Sequence, residues 1–365
     1  MAGVYISYPF CAQKCTFCNF ASGVFSAELE TSYLLALQSE VLTHEWQWTP
    51  DTVYVGGGTP SRMDGQALRS LLSAVPGNPW REATIEAAPG SLTPTSVKTW
   101  RKAGINRVSL GVQSFVKREL AQTGRTHDAA IVETDCLLLR DHDFDNIGID
   151  LIAGLPHQTN QSWLESLDWI DRLHPPHVSV YLFEIDEDSR LGLEILDNGG
   201  RYGANRAPSE DLAADLYGVA VERLETMGLV RYEISNFARS GFESVHNLKY
   251  WQLKPYIGFG SDAHSYDGGQ RWSNVETAIE YVRRREKRLS PRAECNAANP
   301  DEERFFIGLR LSTGMTPTAL EWQKHHEPIQ RFTAEGLLAR EGDRLRLTSR
   351  GVLLSNEVLQ EFIGG

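Results

Sequence analysis

Two rhythms of apolar residues alternate through the first half of the chain. Short β-branched runs at residues 4–7, 52–55, 83–86, 106–110, 146–151 and 177–183 have the length and make-up of strands. Between them the spacing turns helical. Leu29, Tyr33, Leu37 and Val41 recur every four residues, and Leu68, Leu71, Leu72 and Val75 stand at i, i+3, i+4, i+7. Thr93 before Pro94 reads as an N-cap with proline in the first turn, opening a helix to about Ala103. A further helix is expected from about 128 to 140. Asn160 reads as the cap of one with Trp163, Leu167 and Ile170 on one face. Strands and helices in this alternation predict parallel pairing. Six units predict an α/β fold, a partial (β/α)6 barrel short of the eight that close a full one.

The rhythm then changes, and three regions result: a core barrel over 1–185, an extension over 186–295 and a small module over 296–365. The extension holds a helix from 209 to about 227, then the run 231–237, the stretch His246-Asn247-Leu248-Lys249-Tyr250-Trp251 and the glycine-rich 258–261. The basic run 283–288 reads as a solvated helix end. In the last module, helices are expected at 302–311, 328–340 and 352–362, with a short hairpin strand at 345–347. That is a small, mostly helical, winged-helix-like shape.

Composition narrows the class. The 365 residues are 41% hydrophobic and 23% charged, ordinary for a globular chain, and no apolar run approaches a membrane helix. A net charge of −12 argues against a nucleic-acid or anionic-membrane footprint. Five cysteines with no disulfide pattern and no apolar leader suit a reducing, cytoplasmic setting.

Chemistry in parallel barrels gathers at the C-terminal strand ends, and the candidate residues fall there. Cys11, Cys15 and Cys18 follow the first strand at C-x-x-x-C-x-x-C spacing. Three readings are open for them: a cysteine stripe on a helix, a zinc site with a distant fourth ligand, and an iron–sulfur cluster. Thiolates suit zinc or iron–sulfur chemistry. Zinc wants four ligands and none follows at metal spacing. Three thiolates on a four-iron cluster would leave one iron open to a non-protein ligand. Gly56-Gly57-Gly58-Thr59-Pro60 follows the second strand, Glu86 ends the third, Gln113 follows the fourth, and Asp150 ends the fifth. The glycines lack the spacing of a P-loop or dinucleotide site.

These motifs carry a resemblance. Tyr5, the three cysteines and Phe17 resemble the radical S-adenosylmethionine (SAM) superfamily, and its oxygen-independent coproporphyrinogen III oxidase-like family in particular. The resemblance extends to the glycine stretch, to Gln113 in Ser-Leu-Gly-Val-Gln-Ser-Phe, to Arg125 in Gly-Arg-Thr-His and to Asp150 in Gly-Ile-Asp-Leu. It implies a radical SAM barrel with a 4Fe-4S cluster on Cys11, Cys15 and Cys18. SAM would chelate the open iron, held by Tyr5, Gly57, Gly58, Thr59, Glu86, Gln113, Arg125 and Asp150, and reductive cleavage would yield a 5′-deoxyadenosyl radical. Two positions depart from the pattern. Phe20 stands where the oxidases carry a further cysteine, and Ala88 where Asn is frequent.

The H-N-x-x-Y-W stretch, with 181–193, resembles the haem-chaperone (HemW) branch. It implies haem as a ligand, with His246 axial to the iron, Asn247 orienting it, and Tyr250 and Trp251 flanking the ring. The function implied is to bind haem and pass it to acceptor haemoproteins, with a reductant for the cluster. No nucleic acid is expected, and a membrane only through partners. The alternative is an oxygen-independent coproporphyrinogen III oxidase or a HemN-like SAM-dependent methyltransferase. The residues do not choose whether the SAM radical is used in catalysis.

Overall fold

The computed structural model describes residues 2–363. All six expected strands form: β1 Ala2–Tyr8, β2 Pro50–Gly57, β3 Glu82–Ala87, β4 Arg107–Gln113, β5 Asn146–Ala153 and β6 His177–Leu182. Each runs parallel to the one before. The alternating residues that face the helices are fully buried, among them Val4 and Ile6 of β1, Val53 and Val55 of β2 and Ile85 of β3. Each such aliphatic side chain contributes about 1.5–3 kcal/mol by leaving water.

The crossover helices begin where the sequence places hydroxyl or carboxylate caps. Ser26 caps Ala27–Leu42 and Asp64 caps Gly65–Ser73. Thr93 and Ser96 form a reciprocal capping box on Pro94–Lys102. The cap of Asn160–Leu173 is Thr159, one residue before the expected Asn160, because Thr159 and Ser162 satisfy each other's backbone N–H groups. A short helix, Lys117–Thr123, has no periodic signal in the sequence.

Residues 186–297 build both margins of the same sheet. On one side, β7 (Val230–Arg231) and β8 (Asn236–Ala238) continue from β6 in antiparallel pairing. On the other, β9 (Tyr256–Phe259) lies parallel against β1, followed by β10 (His264–Tyr266), β11 (Gln270–Asn274) and β12 (Arg292–Ala297). The order is β12-β11-β10-β9-β1-β2-β3-β4-β5-β6-β8-β7. The first strand of the chain is therefore internal, with neighbours on both sides.

The C-terminal module has helices Pro300–Gly308, Ala319–Lys324, His326–Ala334, Ser349–Leu353 and Ser355–Gln360, and a hairpin of β13 (Leu338–Glu341) and β14 (Arg344–Leu347). Two expectations are corrected. The helix expected over 328–340 stops at Ala334. Gly336 takes a left-handed conformation (φ 73°), and the following residues pair across the hairpin. The helix expected over 352–362 is two short ones, broken at Leu354. Phe305 stacks on Phe362 at 5.0 Å and His325 lies 4.5 Å from Phe305, giving the module an aromatic centre. It joins the sheet through Ser312 N–H donating to Tyr232 O (3.0 Å) and through the Arg271–Glu303 ion pair. Among the described residues no helix is long and apolar enough to cross a membrane.

Candidate functional site

The C-terminal ends of β1–β6 open onto a cavity of about 740 Å³. Its wall contains Cys11, Cys15, Cys18, Gly57, Gly58, Thr59, Glu86, Gln113, Arg125 and Asp150. Residues scattered over much of the chain thus meet in one place, as the strand-end rule predicts.

The cysteines sit on a loop with no helix, so the helical-stripe reading falls. The loop is tied at several points. Cys11 N–H donates to Gly23 O (2.8 Å), and Thr16 N–H to Thr123 O (3.1 Å). Leu191 N–H donates to Thr16 O (2.8 Å), and Asn19 donates to Asp186 (2.5 Å). The segment that follows β6 thereby clasps the loop from outside. All three thiols are partly exposed. Burial raises Cys15 above the ordinary thiol value, against the pull of the Arg125 guanidinium beside it.

Among the described residues no three thiol, imidazole or carboxylate groups converge as one metal ion requires. Three thiols on one braced loop, facing a roomy cavity, fit a cluster that spreads its ligands over three irons. Such a cluster, held by Cys11, Cys15 and Cys18, would supply one electron to a sulfonium compound held beside it.

The glycine stretch has a different reason from the one its composition suggests. A Cβ on Gly58 would lie 2.7 Å from Phe10 O and 2.9 Å from Cys11 Sγ. Gly58 is small because the cysteine loop crosses it, with its N–H donating to Tyr8 O at 2.7 Å.

Beyond it, Glu86 accepts from Tyr54 OH (2.9 Å) and from Gly57 N–H (3.1 Å). Burial pushes its carboxyl up to about 7, with those two hydrogen bonds opposing and the Asp150 charge adding. Asp150 is likewise raised by burial, while Ser179 (2.6 Å) and Ser109 (3.1 Å) donate to it. A cationic ligand would lower both, and SAM carries a sulfonium and an ammonium. Gln113 adopts φ 69° at a bulge between β4 and β5. A Cβ built on Gly111 would lie 3.1 Å from Gln113 Nε2 and 3.6 Å from Arg125 Nη2, so these two side chains meet over one glycine. Arg125 Nε is buried without a partner, an orphaned donor suited to a carboxylate.

Other expected residues lie elsewhere. Tyr5 is outside the cavity wall, its ring stacked 6.1 Å from Tyr54. His246, Asn247, Tyr250 and Trp251 are outside the wall as well. Their helix, Val245–Trp251, fills the N-terminal end of the barrel hollow. Glu82, at the start of β3, accepts from Val245 N–H (2.8 Å), His246 N–H (2.9 Å) and Ser244 Oγ (3.2 Å). Lys249 pairs with Asp51 (2.6 Å). His246 has no exposed surface. Its Nδ1 is hydrogen-bonded to Thr52 Oγ1 (2.9 Å) and its Nε2 to Tyr250 OH (2.8 Å). Burial holds it down to about 3, so it is neutral. In this structure neither ring nitrogen of His246 is free, and the residue is not part of the cavity wall.

Sequence reading passed over Ser109 and Ser179, whose inward alternation on β4 and β6 was the available signal. It also passed over Arg310, Val352, Leu353 and Asn356, which bring the C-terminal module into the cavity wall. No periodicity foretells that docking.

Comparison with known proteins agrees with this layout. The Radical SAM superfamily pattern matches residues 5–170, and the HemN C-terminal domain matches 300–354. The chain is 31% identical to the heme chaperone HemW of Bacillus subtilis, covering 100% of both. It is 34% identical to that of Mycobacterium tuberculosis (H37Rv), covering 99% of this chain and 95% of the relative. The chain belongs to the HemW family of radical SAM proteins. Its fold matches Escherichia coli coproporphyrinogen III oxidase, HemN, with a TM-score of 0.84 at 20% identity, over 100% of this chain and 90% of that one. The match covers the C-terminal module, so HemW and HemN share barrel and module alike. Phe20, the position at which the oxidase resemblance breaks in the sequence, is 65% exposed on the cysteine loop.

Proposed function

We propose that this chain is a haem chaperone that takes haem into the cavity and passes it to acceptor haemoproteins. A 4Fe-4S cluster on Cys11, Cys15 and Cys18 and SAM on its open iron belong to the same site. The observation that carries the reading is the full-length agreement with relatives named heme chaperone, C-terminal module included. The cavity supports it. It is of the size that holds large ligands, and Phe17, Phe183, Val352 and Leu353 give it apolar surface for a macrocycle.

Gly57, Gly58, Thr59, Glu86, Gln113, Arg125 and Asp150 frame the SAM site, the last four by hydrogen bonding and charge. The helix His246 belongs to supports the barrel floor rather than the iron. A cytoplasmic setting, a one-electron reductant and membrane association only through partners complete the proposal.

The test is anaerobic reconstitution followed by haem titration and transfer to an apo-haemoprotein. A haem complex whose ligand is lost to the acceptor is expected. Turnover of coproporphyrinogen III to the divinyl product, without haem binding, would replace this reading with the oxidase.

A further inference from the structure

Arg310 follows the first helix of the C-terminal module and lines the cavity. Its guanidinium carbon lies over the Trp251 ring, 4.7 Å from the centroid. Its Nε is buried with no hydrogen-bond partner. Neighbouring arginines of the same seam are paired: Arg271 with Glu303, Arg304 with Glu321. Glu233 and Glu184 act on Arg310 at range, and burial outweighs them, holding the guanidinium below its ordinary value. Glu233 is itself occupied by Asn236 and by Ser235 N–H (3.2 Å). Arg310 is thus a half-buried cation with an orphaned Nε and no carboxylate partner among the described residues, an arrangement that stacking on indole only partly offsets.

Its position sets it apart from two other cavity cations. Arg125 stands beside Cys15, at the cysteine end. Lys14 donates to Phe20 O (3.0 Å). Arg310 rests on the helix that closes the N-terminal end of the barrel hollow. Planar guanidinium suits bidentate capture of carboxylate.

We propose that Arg310, oriented by Trp251, binds a carboxylate of the ligand that enters the cavity, and that in haem this group is a propionate. The proposal rests on the haem reading above and deepens it. Trp251 gains a different role as a result, because its indole holds the guanidinium rather than flanking the macrocycle. The apolar ring then lies along the cavity wall, its acid edge directed away from the cysteine loop.

The test uses the reconstituted full chain and two probes, haem and haem dimethyl ester, followed by absorbance titration. Wild type is expected to prefer the free acid about tenfold or more, the size of a charge-assisted hydrogen bond. Arg310→Gln should erase the preference while leaving the dimethyl ester affinity, the iron content and SAM binding unchanged. Arg310→Lys should restore part of it, and Trp251→Leu should reduce it. Equal affinity of wild type for acid and ester overturns the proposal without any variant. Full preference surviving in Arg310→Gln assigns the carboxylate to another residue and overturns it too. Absence of binding by either probe removes the haem reading itself, a distinct outcome.

Discussion

Glu86 and His246 lie in the same barrel hollow and shift for the same reason, burial, yet with opposite effects on the fold. Glu86 is raised to about 7. A carboxyl that binds its proton more tightly when folded contributes stability below about 4.5, and this is lost as pH rises towards about 7. His246 is lowered to about 3. Its contribution is present above about 6.5 and is lost as pH falls towards about 3. Glu86→Gln should flatten the first limb of a plot of denaturation midpoint against pH and leave the second. An NMR titration should find the His246 ring neutral far below pH 6.5; a midpoint near the ordinary imidazole value would mean the Thr52 and Tyr250 contacts are not kept in solution. The cysteines give a second residue-scale test. Ala at Cys11, Cys15 or Cys18 should abolish cluster iron after reconstitution. Ala at Cys136, buried behind the sheet, or Cys295, exposed on β12, should not. Glu86, Gln113 and Asp150 were legible in the sequence because strand ends converge, and Arg125 only through the family resemblance. The enclosure of His246 was not, because its partner Thr52 lies 194 residues away and is met only once the helix docks.

The loops carry more of the site than their composition shows. Gly58 reads as a place where a ligand approaches backbone, but the approach it permits is that of Phe10–Cys11. Gly58→Ala should therefore disturb the cysteine loop first, at a cost of about 1–3 kcal/mol, and lower iron retention together with SAM affinity. Loss of SAM affinity with a full iron complement would restore the ligand-approach reading. On the far side, the 186–196 segment holds the loop through Asn19–Asp186 and Leu191–Thr16. Asp186→Ala should raise protease cleavage in 11–23 before any change in melting temperature, since only two exposed contacts, from Asn19 and from Asp188 N–H, are lost and the sheet is untouched. Six strands were visible as runs of β-branched residues. β7–β12 were missed because strands of two to six residues have no room for a period.

At the scale of the molecule, the module over 300–363 is both lid and wall. Deleting it uncovers Trp251 and removes Arg310, Val352 and Leu353 from the cavity. Such a truncation should keep the cluster, whose ligands and ties all lie before residue 200, and lose haem. Equal haem affinity in the truncated and full chains would place the ligand wholly within the barrel. The module's helical character was readable from its apolar spacing. Its helix breaks follow from hairpin pairing and could not be read one segment at a time.

The position of β1 inside the sheet has a bearing on the order of events during synthesis. The cysteine loop emerges early, directly behind its strand. Yet one flank of that strand is covered by β9, and the loop's outer clasp comes from the segment after β6. Both are translated much later, and contacts so distant in the chain form slowly. The nascent thiols are consequently presented to the cell bare and mobile before their frame exists. Iron delivered to them at that stage would meet a flexible peptide, and a finished cluster is best received by the released, folded chain.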